Sequence, residues 1–219
     1  MKKILVLILF IQLFSCEKIK YNVNGEDSYL VNCADSSICH LVIQGKPGNY
    51  LISLSDLETI RTLFDSNKLS LDNFVIKWFL KDDLEYFHVG CHQYINNLNI
   101  FSDDVIFHFD PQGHYISISG EIISYMKVRS VPSLCIGRVI ELFLQNVEND
   151  GFYSRNLQQI KDGCISCELG YWDLNSGISY ADQNFTLAWR IKPFNSYYPW
   201  ALINDMSNSL IFYDNGIRY

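Results

Sequence analysis

The sequence predicts an α+β fold made of two consecutive units, each an antiparallel sheet with a helix packed on one face. Three observations lead to it. Short strand-like runs joined by tight turns fill the chain from Phe74 onward, two amphipathic stretches carry helical spacing, and each of those stretches precedes a strand meander. A helix followed by antiparallel strands hides its apolar stripe on one sheet face. The composition agrees: 48% of the 219 residues are hydrophobic, 15% aromatic and only 19% charged, which excludes a disordered chain. Seventeen Lys and Arg against 24 Asp and Glu leave a net charge of −7. That balance argues against a nucleic-acid partner, because phosphate contacts need clustered cations.

Met1-Lys2-Lys3 is a basic start, and Ile4 to Leu13 is an apolar run interrupted only by Gln12. About ten residues are too few to cross a hydrocarbon core of roughly 30 Å as a helix, but they have the length of a signal-peptide core. Leu13-Phe14-Ser15-Cys16 resembles a bacterial lipobox, with a hydrophobic residue three before the cysteine and a small one just before it. The resemblance implies a lipoprotein signal peptide over 1–15 and an acylated Cys16. It also implies a lipid anchor in the cell envelope, at the periplasmic face or the cell surface. Residues 16–35, rich in Asn, Gly, Glu and Asp, read as a polar tether. Outside the reducing cytosol Cys33, Cys39, Cys91, Cys135, Cys164 and Cys167 are able to oxidise, with Cys33/Cys39 the first candidate pair.

The first unit spans 36–125. Leu41–Ile43 and Tyr50–Ile52 flank Gly45-Lys46-Pro47-Gly48, a hairpin signal. Ser55 with Glu58 has the capping-box pattern, and Leu57, Ile60 and Phe64 recur at helical spacing, which predicts a helix over 55–67. Residues 74–80 and 84–95 read as a hairpin about Lys81-Asp82-Asp83, and 105–109 and 115–119 as another about Asp110-Pro111-Gln112-Gly113. The second unit spans 126–219. Pro132 fits a first helical turn, and Ile136, Val139, Ile140 and Phe143 share one face of a helix over 132–147. Strands are expected at 170–173, 178–180, 186–191, 200–203 and 210–213.

Two stretches resemble known families. His88-Val89-Gly90-Cys91-His92-Gln93-Tyr94, followed by Val105-x-x-His108-x-Asp110-x-x-Gly113, resembles the fungalysin/thermolysin propeptide motif. Leu187-Ala188-Trp189-Arg190-Ile191 and Pro199–Asn204 resemble the last strands of a PepSY domain. On this resemblance Gln93, His108, Asp110, Gly113 and Trp189 are structural motif residues. Ile95, Asn97 and Asn99 stand where the family has Tyr, Gly and Pro, and Asn204 and Asn208 replace the Asp and Gly of its last turn. In the family these domains precede a zinc metallopeptidase, assist its folding and occupy its cleft. The resemblance therefore implies a non-catalytic module that binds a protein partner, a peptidase among the candidates.

No catalytic residue, metal set or cofactor is expected. His88, Cys91 and His92 offer ligand atoms, but on a strand 88 and 92 share one face and 91 takes the other. Cys164-x-x-Cys167 has neither a second half for zinc nor a βαβ context for redox work, so disulfides or buried thiols are the expected state. No His-Glu-x-x-His or Gly-x-Ser-x-Gly run exists. Asp82-Asp83 and Asp103-Asp104 are expected in turns. Most aromatics belong in the sheets' cores. Tyr197, Tyr198 and Trp200 lie in the loop Phe194–Trp200, and an exposed aromatic loop there would suit a protein partner or, alternatively, a surface glycan.

Overall fold

In the computed structural model the strands join into one mixed eleven-stranded sheet. The structure describes residues 52–124, 127–176, 183–194 and 196–217, except the side chains of 102 and 103, together with the backbone of strands at 17–23, 26–32 and 40–43. The chain runs β1 (Glu17–Val23), β2 (Glu26–Asn32), β3 (His40–Ile43), α1 (Leu54–Ser66), β4 (Phe74–Lys81), β5 (Phe87–Ile95), β6 (Leu98–Phe109) and β7 (Tyr115–Ser119). It continues through α2 (Ile136–Asn149), α3 (Leu157–Asp162), β8 (Ile165–Asp173), β9 (Phe185–Pro193), β10 (Trp200–Asn204) and β11 (Ser209–Asp214).

Strand order is β1-β2-β3-β8-β6-β5-β4, with β7 beside β6 and β9, β10 and β11 leading off β8. The wholly antiparallel sheets expected from sequence are corrected here, because β8 pairs in parallel with β3 at 165–168 and with β6 at Gly170 and Tyr171. The described core falls into two clusters. One holds Ile60, Leu63 and Phe64 of α1 with Phe74, Ile76, Val89, Cys91, Val105, Phe107 and Phe109 of β4–β6. The other holds Val139, Ile140, Phe143 and Val147 of α2 with Ile165, Cys167, Leu169, Tyr171, Trp189 and Ile191 of β8 and β9. Among the described residues no helix is long and apolar enough to cross a membrane.

Several local expectations are corrected. The polar tether carries the β1–β2 hairpin: Ile19, Tyr21 and Val23 alternate with polar residues, and Asn24-Gly25 is a strong two-residue hairpin sequence. Leu41–Ile43 is a strand, with β2 on one edge and β8 on the other, while the turn at 45–48 and residues 50–51 of the expected hairpin lie outside the described residues. The cap of α1 is Ser53 rather than Ser55, its hydroxyl accepting from Asp56 N at 3.1 Å. Helix α2 begins at Ile136, leaving Pro132 in the preceding segment. Cys167 lies inside β8, which begins at Ile165 and not at the expected 170, because Ile165, Cys167, Leu169 and Tyr171 alternate onto α2. The strand expected at 178–180, Cys16 and the Cys33/Cys39 pair lie outside the described residues.

Candidate functional site

The sheet β4–β7 buries one face against α1 and turns the other outward. Pairing fixes which residues share that outer face: Trp78 opposite Gly90 and Ile106, Leu80 opposite His88 and His108, and His92 opposite Asp104. Cys91 sits on the inner face, buried, so the local ligand trio is split as its spacing requires. Gly90 is needed for a close approach. A Cβ there would stand 2.1 Å from the Trp78 indole, which lies over the glycine.

Two tight turns deliver carboxylates to this region. In the β4–β5 turn Asp82 Oδ1 accepts from Leu84 N and Tyr86 N, each at 2.9 Å, leaving Oδ2 for His88 Nε2 at 3.1 Å. The hydrogen bond from His88 holds the Asp82 carboxyl below its usual range. In the β6–β7 turn Asp110 Oδ1 accepts from Gln112 N at 2.9 Å and His114 N at 2.8 Å, while Oδ2 meets His114 Nδ1 at 2.9 Å. Gly113 closes that turn at φ +85°, a conformation glycine adopts without steric cost. An aspartate opening a turn and accepting from the amides that follow is the same device used twice.

Asp104 corrects a sequence expectation, since it lies within strand β6 and not in a turn. Its Oδ1 meets His92 Nδ1 at 2.6 Å and its Oδ2 meets Lys77 Nζ at 2.7 Å. Burial pushes its carboxyl up, but the hydrogen bonds from His92 and Lys77 outweigh that and hold it at about 2. Lys77 reaches it because β4 bulges between Ile76 and Trp78.

The motif residues take structural positions. Gln93 is buried and clamps the chain beyond β7: its Nε2 donates to Ile123 O, and its Oε1 accepts from Ile123 N at 3.0 Å. Asn96 and Asn97, both at positive φ, form the two-residue β5–β6 connection, while Asn99 is buried in β6. Trp189 is buried, and its Nε1 donates to Asp205 Oδ1 at 3.0 Å. Asn67, which no sequence signal singled out, ties α1 to the β6–β7 turn. Its Nδ2 donates to Leu63 O and Gly113 O and its Oδ1 accepts from Tyr115 N, all at 2.8 Å.

The aromatic loop is not one surface. Tyr197 is 83% exposed with Lys192 Nζ 5.3 Å from its ring centroid, whereas Trp200 packs on Phe212 at 5.0 Å. Tyr198 instead lines a cavity of about 500 Å³ with Tyr153, Asn156, Gln159, Phe194 and Pro199. Cys164 stands at the rim of that cavity, just before β8. Cys91 and Cys167 are buried and Cys135 is exposed, and none of these three is in a disulfide. Burial pushes the Cys167 thiol up, out of the range where a redox cysteine works. Among the described residues no group of three or more His, Cys, Asp or Glu side chains is placed to hold a metal.

Residues 72–122 match the family Fungalysin/Thermolysin Propeptide Motif. That stretch contains all of β4–β7 and with it the whole outer face. Among solved structures the chain is similar to the Bacillus megaterium YpeB C-terminal domain, at 10% sequence identity and a TM-score of 0.35, over 94% of this chain and 91% of that one. No curated protein matches.

Proposed function

We propose that the protein is a non-catalytic module that binds another protein through the outer face of β4–β7. A peptidase is the partner class that the propeptide motif favours. The observation that carries this reading is the motif match over 72–122, the segment that builds that face. In this reading the protein inhibits the peptidase or assists its folding, and a lipid on Cys16 holds it at the cell envelope. A polar, histidine-rich face framed by Trp78 and Leu80 has the mixed character of a transient interface.

The test is capture from bacterial envelope extract with the chain from Glu17 onward, which omits the acylated cysteine. Recovery of a metallopeptidase whose activity the captured chain slows is the expected result. Failure both to recover and to slow any envelope protease removes the reading. A second reading, a surface glycan-binding component, draws on the cavity where Tyr198, Tyr153 and Phe194 stand beside Asn156 and Gln159. Recovery of glycan-handling proteins in the same experiment would favour it.

An oxidising address also has a chemical consequence. Cys164 is the described cysteine that is disulfide-bonded. His40 pairs with Ile165 across β3 and β8, so the cysteines that precede these two residues in the sequence, Cys39 and Cys164, are the pair we propose. Adjacent strands lie about 4.8 Å apart, within reach of a disulfide. Peptide mapping without reductant should therefore find Cys39 joined to Cys164 and not to Cys33. A Cys33–Cys39 peptide would overturn the assignment.

A further inference from the structure

Four side chains on the outer face form one continuous line of hydrogen bonds. Asp82 Oδ2 lies 3.1 Å from His88 Nε2, His88 Nδ1 lies 2.8 Å from His108 Nδ1, and His108 Nε2 lies 2.8 Å from Ser119 Oγ. The donors follow by elimination. An ionised carboxylate only accepts, so His88 Nε2 carries the hydrogen and, in a neutral ring, Nδ1 is the acceptor. His108 Nδ1 is then the donor, His108 Nε2 an acceptor, and the Ser119 hydroxyl donates to it. Every bond points toward Asp82 with both rings neutral.

A first added proton enters at His108 Nε2, turns the Ser119 hydroxyl from donor to acceptor and leaves the other two bonds intact. The hydrogen between the rings shifts from His108 Nδ1 to His88 Nδ1, so the charge rests on His88 beside Asp82. A second proton has only the bare His108 Nδ1 to occupy, where it faces the His88 Nδ1 hydrogen across 2.8 Å. Two N–H groups cannot share that gap, so the rings must part.

We propose that this line is a proton latch: His88 and His108 hold one added proton between them, and uptake of the second in mild acid breaks the side-chain link from β5 through β6 to β7. The outer face then carries two imidazolium charges, and a partner docked on it at neutral pH is released. Only that last consequence rests on the binding reading given above; the proton chemistry stands without it.

The charged groups around the pair do not supply a second counter-charge. From the β4–β5 turn come Asp82, already used, and the Lys81–Glu85 ion pair. From β4, β5 and β6 come Lys77, His92 and Asp104, bound to one another, and from the β6–β7 turn Asp110 and His114, likewise paired. From β7 come only the hydroxyls of Ser117 and Ser119. Burial, and then the charge on His88, hold the His108 imidazole below its ordinary value. A folded-state value below the unfolded one means the latch stabilises the fold at neutral pH. That contribution is lost as pH falls from about 6.5 through the lowered value.

The test is imidazole nitrogen–proton correlation spectroscopy of the full chain from pH 4 to pH 8. Expected in the wild type are two titration steps more than about one pH unit apart. In His88→Gln and in His108→Gln the remaining ring should titrate in a single step. One shared step for both rings in the wild type would overturn the latch, and that spectrum decides the matter even where a variant fails to fold. With a captured partner in hand, binding should weaken about tenfold or more from pH 7.5 to 5.5, and His108→Gln should flatten that dependence. A pH-independent partner alongside two separated steps would sink the release mechanism and leave the proton chemistry. Two separated steps and no partner at all would fault the binding reading instead.

Discussion

Replacing Asp205 with alanine is expected to lower the free energy of unfolding by about 3–5 kcal/mol. The Asp205 side chain is fully buried in the turn between β10 and β11. Its Oδ2 accepts from Arg129 Nη2 and Ser133 N, both at 2.7 Å, and its Oδ1 accepts from Leu134 N and Trp189 Nε1, both at 3.0 Å. One carboxylate thus fastens the segment leading into α2 onto the turn at the far end of the sheet. Alanine strands two backbone N–H groups and the buried indole N–H, each costing about 1–3 kcal/mol when unsatisfied. The Arg129 guanidinium contributes little, because at 42% exposure it turns to water when its partner goes. Arg129→Ala should accordingly cost about 1 kcal/mol or less. Urea midpoints of the two variants make the comparison; equal costs would show that the ion pair, and not the set of N–H donors, is what the carboxylate serves.

Phe64→Ala should cost a similar amount, about 3–5 kcal/mol, through the cavity it leaves. Phe64 is 1% exposed, and its ring meets Phe107 at 4.8 Å and Phe109 at 5.6 Å between centroids. The damage should be local. The cluster under α1 shares no residue with the cluster under α2, and β6 and β8 meet over only two residue pairs. Hydrogen exchange should therefore quicken in α1 and β4–β7 while α2 and β8–β10 keep their protection. Uniform acceleration across both clusters would mean that the continuous sheet, and not the two cores, sets the cooperative unit.

Much of the outer face was written in local sequence. The β4–β5 and β6–β7 hairpins followed from turn residues between strand-like runs, and both turns carry the aspartate whose carboxylate accepts from the following amides. The split of His88 and His92 from Cys91 followed from the two-residue period of a strand. Asp103-Asp104 misled, because adjacent carboxylates look like a turn until strand partners supply hydrogen-bond donors. Here His92 comes from β5 and Lys77 from the β4 bulge. His108 read only as a structural motif residue for a like reason: its neighbours His88 and Ser119 are 20 and 11 residues away, brought close by strand pairing. Asp205 gave no signal at all. Its four donors come from 129–134 and from 189, and only the closed fold gathers them.

What the sequence determined by itself are the periodic features. The α+β character, the apolar faces of α1 and α2 and most hairpins of the two meanders depend on residues within a few positions of one another, where turn chemistry and side-chain period act directly. Tertiary structure alone decided that the strands make one sheet, that β8 pairs in parallel with β3 and then β6 along one edge and antiparallel with β9 along the other, and which polar groups meet. Parallel pairing joins segments far apart in the chain, and no local residue pattern encodes it. The hydrogen-bonded line from Asp82 to Ser119 belongs to this second kind, since its geometry exists only once three strands lie in register.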